Sequence, residues 1–172
     1  MSLKGNKIFI VGMPASGKST LAKKLSDILN IEKYDFDDIK FEKKFDIERT
    51  ENKQVEIIKE ILGKDSWIVE GALREPALPF WKNADLVIFL QISEFTPYKR
   101  IIFRYLKKLL STKEKTVGSD FILLKRIYNY FHKPNNFLSL KKYQEYLKKY
   151  AKNYIIIKNN KDIQDLLKDT PI

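Results

Sequence analysis

Residues 12–19 read Gly12-Met13-Pro14-Ala15-Ser16-Gly17-Lys18-Ser19, and they fill the spacing G-x-x-x-x-G-K-[ST] completely. The pattern has a physical reason. The two glycines let the backbone curl tightly and turn its N–H groups toward one point, where they can meet phosphate oxygens. Lys18 can reach the β- and γ-phosphates as a point charge, and the Ser19 hydroxyl, followed by Thr20, can hold Mg²⁺. A helix starting at the end of such a loop adds the positive end of its dipole.

The flanks agree with the motif. Lys7-Ile8-Phe9-Ile10-Val11 before it is a β-rich apolar run, and Leu21, Leu25, Ile28 and Leu29 after it recur at helical spacing. A loop cradling a nucleoside triphosphate therefore sits between a strand and a helix.

The chain has 172 residues, 44% of them apolar and 32% charged, which suits a single folded domain over 1–172. No cysteine is present, which excludes disulfides, thiolate metal sites and a thiol nucleophile. No apolar stretch has the length of a membrane span, and no leader pattern is visible, so a cytoplasmic protein with no membrane partner is expected, as monomer or homodimer. The net charge of +11 leaves nucleic acid as a partner, without sequence specificity. Only five of the 33 basic residues are Arg (Arg49, Arg74, Arg100, Arg104, Arg126), and the other 28 are Lys spread along the chain, as in a solvated lysine surface. The scarce Arg residues say more, since Arg makes bidentate phosphate contacts.

Further elements follow from pattern. A short strand is expected over Glu32–Asp38, a helix over Ile47–Leu62 with Val55, Ile58 and Leu62 inward and Gly63 as its stop, and a strand over Ser66–Glu70. Gly71–Lys82, with Pro76 and Pro79, reads as irregular. Asp85–Leu90 reads as a strand buried on both faces, and Tyr154–Ile157 as the last strand, before a closing helix over Lys161–Lys168. Helices are expected at about 95–110, 119–132 and 138–150, with Ser119 and Ser139 as caps. Alternation of strands and helices predicts an α/β fold with a parallel sheet covered on both faces. Ligands then bind beyond the carboxyl ends of the strands. That rim collects Gly12–Thr20, Asp37-Asp38, Glu70–Arg74, Gln91–Glu94 and Lys158–Asn160.

Within it, Asp37 and Glu70 are candidates for the metal's water shell, and Asp37 alternatively for a base toward an acceptor hydroxyl; each could instead be a loop acid or helix cap. Arg100 and Arg104, four apart, share one helix face and can clamp phosphates, or form a surface pair. Arg74 is a phosphate candidate, Arg126 leans toward the surface, and Arg49 is read as surface. His132 reads as a surface residue, Trp67 and Trp81 as core, and Tyr143, Tyr146, Leu147 and Tyr150 as a packing face. Tyr34, Phe36 and Phe41 could line an acceptor pocket or simply pack.

These residues resemble a known group. Gly-x-Pro-x-x-Gly-Lys-Ser-Thr at 12–20 is similar to the phosphate loop of adenylate-kinase-like nucleoside and nucleotide kinases. Trp67-Ile68-Val69-Glu70-Gly71, Asp85–Leu90 followed by Arg100 and Arg104, and Tyr154–Asn160 resemble, in order, segments of the bacterial topology modulation protein (FlaR-like) branch of that group. The resemblance implies a P-loop NTPase, three-layer α/β/α, with a five-stranded parallel sheet in the order 2-3-1-4-5 and a helical lid segment at about 108–150. It implies ATP and Mg²⁺ as cofactors and transfer of a γ-phosphoryl group to a small acceptor. It places nucleotide contacts at Gly12, Pro14, Ala15, Ser16, Gly17, Lys18, Ser19, Thr20, Arg100, Lys158 and Asn159. The acceptor falls to Asp37, Phe41, Glu70 and Arg74, the metal to Ser19 and Glu70, and the chemistry to Lys18, Asp37, Arg100 and Arg104. Gln91 stands where an Asp is usual, Phe41 where the branch often has Trp, and the long Arg-rich lid of adenylate kinases is missing. A rival expectation from the branch and the charge is a nucleotide-binding regulator on DNA, and a third is a polynucleotide 5′-kinase.

Overall fold

The computed structural model describes residues 5–43, 47–109 and 117–170. Strand β1 (Lys7–Gly12) leads through the loop into helix α1 (Lys18–Leu29). Then come β2 (Lys33–Asp35), α2 (Phe36–Lys40), β3 (Phe41–Lys43), β4 (Ile47–Glu48), α3 (Glu51–Gly63) and β5 (Trp67–Gly71). A 3₁₀ turn (Glu75–Ala77) precedes α4 (Leu78–Asn83) and β6 (Leu86–Leu90). Helices α5 (Phe95–Leu109), α6 (Val117–His132) and α7 (Leu140–Tyr150) lead to β7 (Tyr154–Ile157) and α8 (Asn160–Lys168).

The main sheet is parallel and runs β2-β5-β1-β6-β7, which is the expected 2-3-1-4-5 when its five strands are counted among themselves. Successive side chains of a strand point to opposite faces. Phe9, Val11, Trp67, Val69, Val87 and Phe89 therefore join one core cluster, with Phe80 and Trp81 of α4, Ile127 and Tyr130 of α6, and Tyr143 and Leu147 of α7. Ile8, Ile10, Ile68, Leu86, Ile88 and Leu90 join the other, with Leu21 and Leu25 of α1 and Leu166 of α8. Both faces are dry, which is why the central strands read as unbroken apolar runs.

Several sequence expectations shift. The second strand is shorter: Asp35 accepts a hydrogen bond from the Asp37 N–H and caps α2, so Asp37 stands in the first turn of a short helix. Ile47 and Glu48 do not begin a helix but pair antiparallel with Phe41–Lys43. Helix α3 starts after Thr50, whose hydroxyl accepts from the Lys53 N–H. Its buried face is Gln54, Ile58 and Ile61, leaving Val55 exposed, and it runs through Gly63 to a cap at Lys64. The stretch 71–82 is not irregular: Pro76 and Pro79 occupy first-turn positions of the 3₁₀ turn and α4, where a missing N–H costs nothing. Ser119 lies inside α6, whereas Ser139 does cap α7 by accepting from the Lys142 N–H. Of the segment expected to form a lid, α7 is packed into the core through Tyr143 and Leu147, and 110–116 lie outside the described residues.

Candidate active site

The loop between β1 and α1 alternates its backbone handedness. Ala15 (φ 59°) and Gly17 (φ 104°, ψ 15°) are both left-handed, and Met13 accepts a bond from the Ser16 N–H at 3.3 Å. Such an alternation forms a concave nest of N–H groups aimed at an anion. Gly17 is required: a Cβ there would be strained by its φ and would meet the Arg100 Nη1 at 3.1 Å. That guanidinium donates to the carbonyls of Ala15 (3.0 Å) and Ser16 (2.7 Å), so α5 is tied to the loop from outside. The Arg104 side chain lies outside the described residues.

Lys18 donates to the Met13 carbonyl at 2.9 Å. Burial holds its pKa below the ordinary lysine value, opposed by the negative field of Glu70, Asp37 and Asp35. The Ser19 hydroxyl donates to Glu70 Oε1 at 2.5 Å, which brings together the two oxygens assigned to the metal. No cluster of three or more His, Cys, Asp or Glu side chains that could hold a metal occurs among the described residues. Two protein oxygens beside a phosphate cradle nevertheless suit Mg²⁺, which keeps waters and takes phosphate oxygens.

A cavity of about 670 Å³ runs from this cradle along Ser19, Thr20 and Lys24 to Arg100 and to Asn160, Ile163 and Gln164 of α8. Lys158 and Asn159, expected on the adenine side, are engaged otherwise. The Lys158 N–H bonds Asp162 Oδ2 at 2.7 Å, and Asn159 forms a reciprocal capping box with Asp162. The residues after them line the cavity instead. Ser16 is fully buried, and its hydroxyl has no partner among the described residues.

A second cavity, about 400 Å³, opens on the other side of the loop. Its apolar wall includes Met13, Pro14, Leu73, Leu138 and Tyr130, and its cations are Lys40 of α2, Arg74 after β5 and Arg126 of α6. Arg74 Nη2 pairs with Asp37 Oδ1 at 3.2 Å, while its Nε is buried with no partner among the described residues. Lys40 pairs with Glu48 of the small hairpin at 3.1 Å. Pro14, expected on the nucleotide, thus faces this cavity. Phe41 does not line it, and the Lys40 ammonium sits 5.3 Å from that ring. Arg126, which the sequence inclines toward the surface, and Lys40, which the sequence does not single out, both line this cavity. Arg126 had only its scarcity to mark it, and Lys40 one helical turn from Asp37.

Tyr143 lines the second cavity and reaches the strand end from which the phosphate loop starts. Its hydroxyl accepts from the Leu73 N–H at 2.8 Å and donates to the Gly12 carbonyl at 3.2 Å. The reading of Tyr143 as packing holds, since it stacks on Phe89 at 5.3 Å, but the hydroxyl's reach has no signature in periodicity. His132 is a surface residue, paired with Glu94 at 2.8 Å. Arg49 is only partly exposed and reaches Glu42 at 3.5 Å.

A parallel sheet in this order with a phosphate cradle after its first strand defines a P-loop α/β domain. Residues 8–108 match the AAA domain family, AAA_18, and the chain belongs to it. The chain is also 27% identical to a shikimate kinase of Clostridium botulinum (strain Okra / Type B1), over 86% of this chain and 95% of that one. Among solved structures, it resembles the shikimate kinase from Acinetobacter baumannii in complex with shikimate, with TM-score 0.54, 18% identity, and 94% and 88% of the two chains covered. A gluconokinase from Sinorhizobium meliloti 1021 gives TM-score 0.53 at 13% identity, over 96% and 89% of the two chains. At such identities the structural likeness speaks for the fold.

Proposed function

We propose that this chain is an ATP-dependent kinase that transfers the γ-phosphoryl group to a hydroxyl of a small, negatively charged acceptor. The observation that carries the reading is the pair of cavities on either side of one phosphate loop. One is lined by the cradle, the other by three cations, the single carboxylate Glu75 and an apolar wall. The names of the relatives, a shikimate kinase and a gluconokinase, point the same way, since both acceptors they name are hydroxylated acids. The nucleoside or nucleotide acceptor suggested by the adenylate-kinase-like resemblance fits the same cation set. A regulator bound to DNA would need no such enclosed second cavity.

In this reading the cradle amides and Lys18 hold the β- and γ-phosphates, and Arg100 closes the outer side. Ser19 and Glu70 would hold Mg²⁺, which neutralises charge on the transferring group. The acceptor lies on Met13, Pro14 and Leu138, with its anionic group toward Arg74, Arg126 and Lys40. Asp37, fixed by Arg74, faces the attacking hydroxyl. The hydroxyl oxygen forms a bond to the γ-phosphorus as the bond to the β,γ-bridging oxygen breaks. ADP leaves with that electron pair, and the hydroxyl proton passes to the Asp37 carboxylate.

The test is ADP release from Mg-ATP over a panel of hydroxy acids, sugar acids, nucleosides, nucleoside monophosphates and 5′-hydroxyl oligonucleotides, with wild type and Lys18→Ala. Acceptor-dependent release in wild type alone supports the reading, and equal release in both proteins refutes it.

A further inference from the structure

The hydroxyl of Tyr143 sits where the two half-sites meet. The carbonyl it donates to belongs to Gly12, the last residue of β1 and the first of the phosphate loop. The N–H it accepts from belongs to Leu73, two residues past β5 and directly before Arg74. β1 and β5 are adjacent in the sheet, with Val11 beside Gly71. Beyond that register pair, among the described residues, no backbone hydrogen bond links the two segments, and Glu70, which bonds Ser19, and Arg74, which lines the acceptor cavity, flank this gap.

The tyrosine itself has little freedom. Its ring is 1% exposed, lies 8° from parallel to Phe89 of β6, and meets Tyr130 at 5.6 Å. Burial pushes its phenol pKa well up, so the hydroxyl stays a neutral donor and acceptor. A donor-plus-acceptor group in this place can satisfy a buried N–H and a buried carbonyl at once, and phenylalanine can satisfy neither.

We infer that Tyr143 is the positioning residue that sets the acceptor loop at 72–74 against the phosphate loop, and that nucleotide occupancy reaches Arg74 through its hydroxyl. The inference rests on the kinase reading for the identity of the two half-sites. A displacement of Gly12 when the cradle takes a polyphosphate moves the atom to which Tyr143 donates. The same hydroxyl then carries Leu73, and Arg74 with it. The neighbouring Tyr130 supplies a control inside the same core: it is equally buried, lines the acceptor cavity, and its hydroxyl has no hydrogen-bond partner among the described residues.

The experiment is a titration of ¹⁵N-labelled protein with Mg-ADP, followed by two-dimensional NMR, in wild type, Tyr143→Phe and Tyr130→Phe, with a thermal melt of each. In wild type the amides of Leu73 and Arg74 should shift along the same saturation curve as those of Gly17–Ser19. In Tyr143→Phe the Gly17–Ser19 response and the Mg-ADP affinity should persist within about threefold, while the Leu73 and Arg74 response falls by about half or more. Tyr130→Phe should keep both. Once an acceptor is known, Tyr143→Phe should lower kcat about tenfold or more with the KM for ATP little changed.

Retention of the Leu73 and Arg74 response in Tyr143→Phe would overturn the inference. So would its equal loss in both variants, or a loss accompanied by a matching fall in Mg-ADP affinity and melting temperature, since these mark general loosening of the core. A wild type that shows no Mg-ADP response at all overturns the function and this inference together. Binding and coupling without transfer to any acceptor would overturn the function alone.

Discussion

The phosphate cradle and the second cavity flank one loop, with Ala15–Thr20 toward the first and Met13-Pro14 toward the second, yet they are made in different ways. The cradle is one unbroken stretch in which the backbone does the binding: left-handed Ala15 and Gly17 turn the amides, and Lys18 and Ser19 follow at once. The cavity is assembled from side chains of the start of the phosphate loop, α2, the loop after β5, α6, the turn before α7 and α7 itself, whose positions span residues 13–143. A site borne by consecutive backbone tolerates little change in residue type, because spacing and the glycine conformations are the site. A site borne by scattered side chains can change its ligand by single substitutions without disturbing the sheet. The difference implies a division of labour: the first half fixes the reaction, the second fixes the acceptor.

Lys18→Ala is the most severe way to test that division. It removes the ammonium that reaches the transferring group, and kcat should fall by about 10²–10³ for every acceptor alike, as for loss of one preorganised transition-state contact. ADP release measured across several acceptors checks this. A loss that varied widely from acceptor to acceptor would break the comparison, because it would place Lys18 on the selective side.

Arg74→Met should act in the opposite manner. Its side chain lines the proposed acceptor cavity, holds Asp37 and leaves Nε with no partner among the described residues, so under the proposed function the KM for an anionic acceptor should rise about 10–100-fold, the equivalent of one charged hydrogen bond. The KM for ATP should stay within about twofold. Initial-rate kinetics with each substrate varied in turn measure both. Arg126→Gln sharpens the same contrast at lower cost, since Arg126 is exposed on α6 and its charge is screened. A rise of about tenfold or less is expected for a charged acceptor, and none for a neutral polyol. An equal effect on both would mean that Arg126 shapes the cavity and does not read charge.

The contrast also explains what could be read from the chain. The strands at Ile8–Val11, Trp67–Val69 and Leu86–Leu90 are apolar because both sheet faces are covered, so their pattern survives in one dimension, and the edge strand Tyr154–Ile157 keeps an apolar run although it is only partly buried. The phosphate loop is legible for the same reason: its chemistry is local. The prolines at 76 and 79 misled because a residue that breaks a helix in its interior starts one at its first turn, and composition does not distinguish the two. Ile47 misled because two residues of a β-hairpin leave no periodicity to detect. After the last strand, Asn159 caps α8 and Asn160 lines the cavity, a division between neighbouring residues that no local pattern announces. The Tyr143 hydroxyl spans 131 residues to Gly12, a separation that no local pattern encodes.

The gentlest prediction turns on protons. Burial lowers the Lys18 pKa in the free protein, so its folded state binds fewer protons than the unfolded chain in the window between that lowered value and the ordinary 10.5. Free-protein stability from this group therefore rises as pH climbs through that window, because the buried charge is being relieved. Nucleotide binding must run the other way. A bound polyphosphate favours the ammonium, raises the pKa again, and draws a proton from solvent once the free lysine has begun to lose its own. Mg-ADP affinity should thus be flat in pH below the free-site pKa, as far as Lys18 determines it, and fall as pH rises through it. Calorimetry at alkaline pH in two buffers of different ionisation enthalpy reads the uptake directly, as a fraction of a proton per site. Lys18→Met should abolish it. Arg74→Met, on the other side of the loop, removes a positive neighbour that depresses the Lys18 pKa and should push the onset of uptake to higher pH. An onset unmoved by Arg74→Met would show the two halves to be electrically as well as chemically separate.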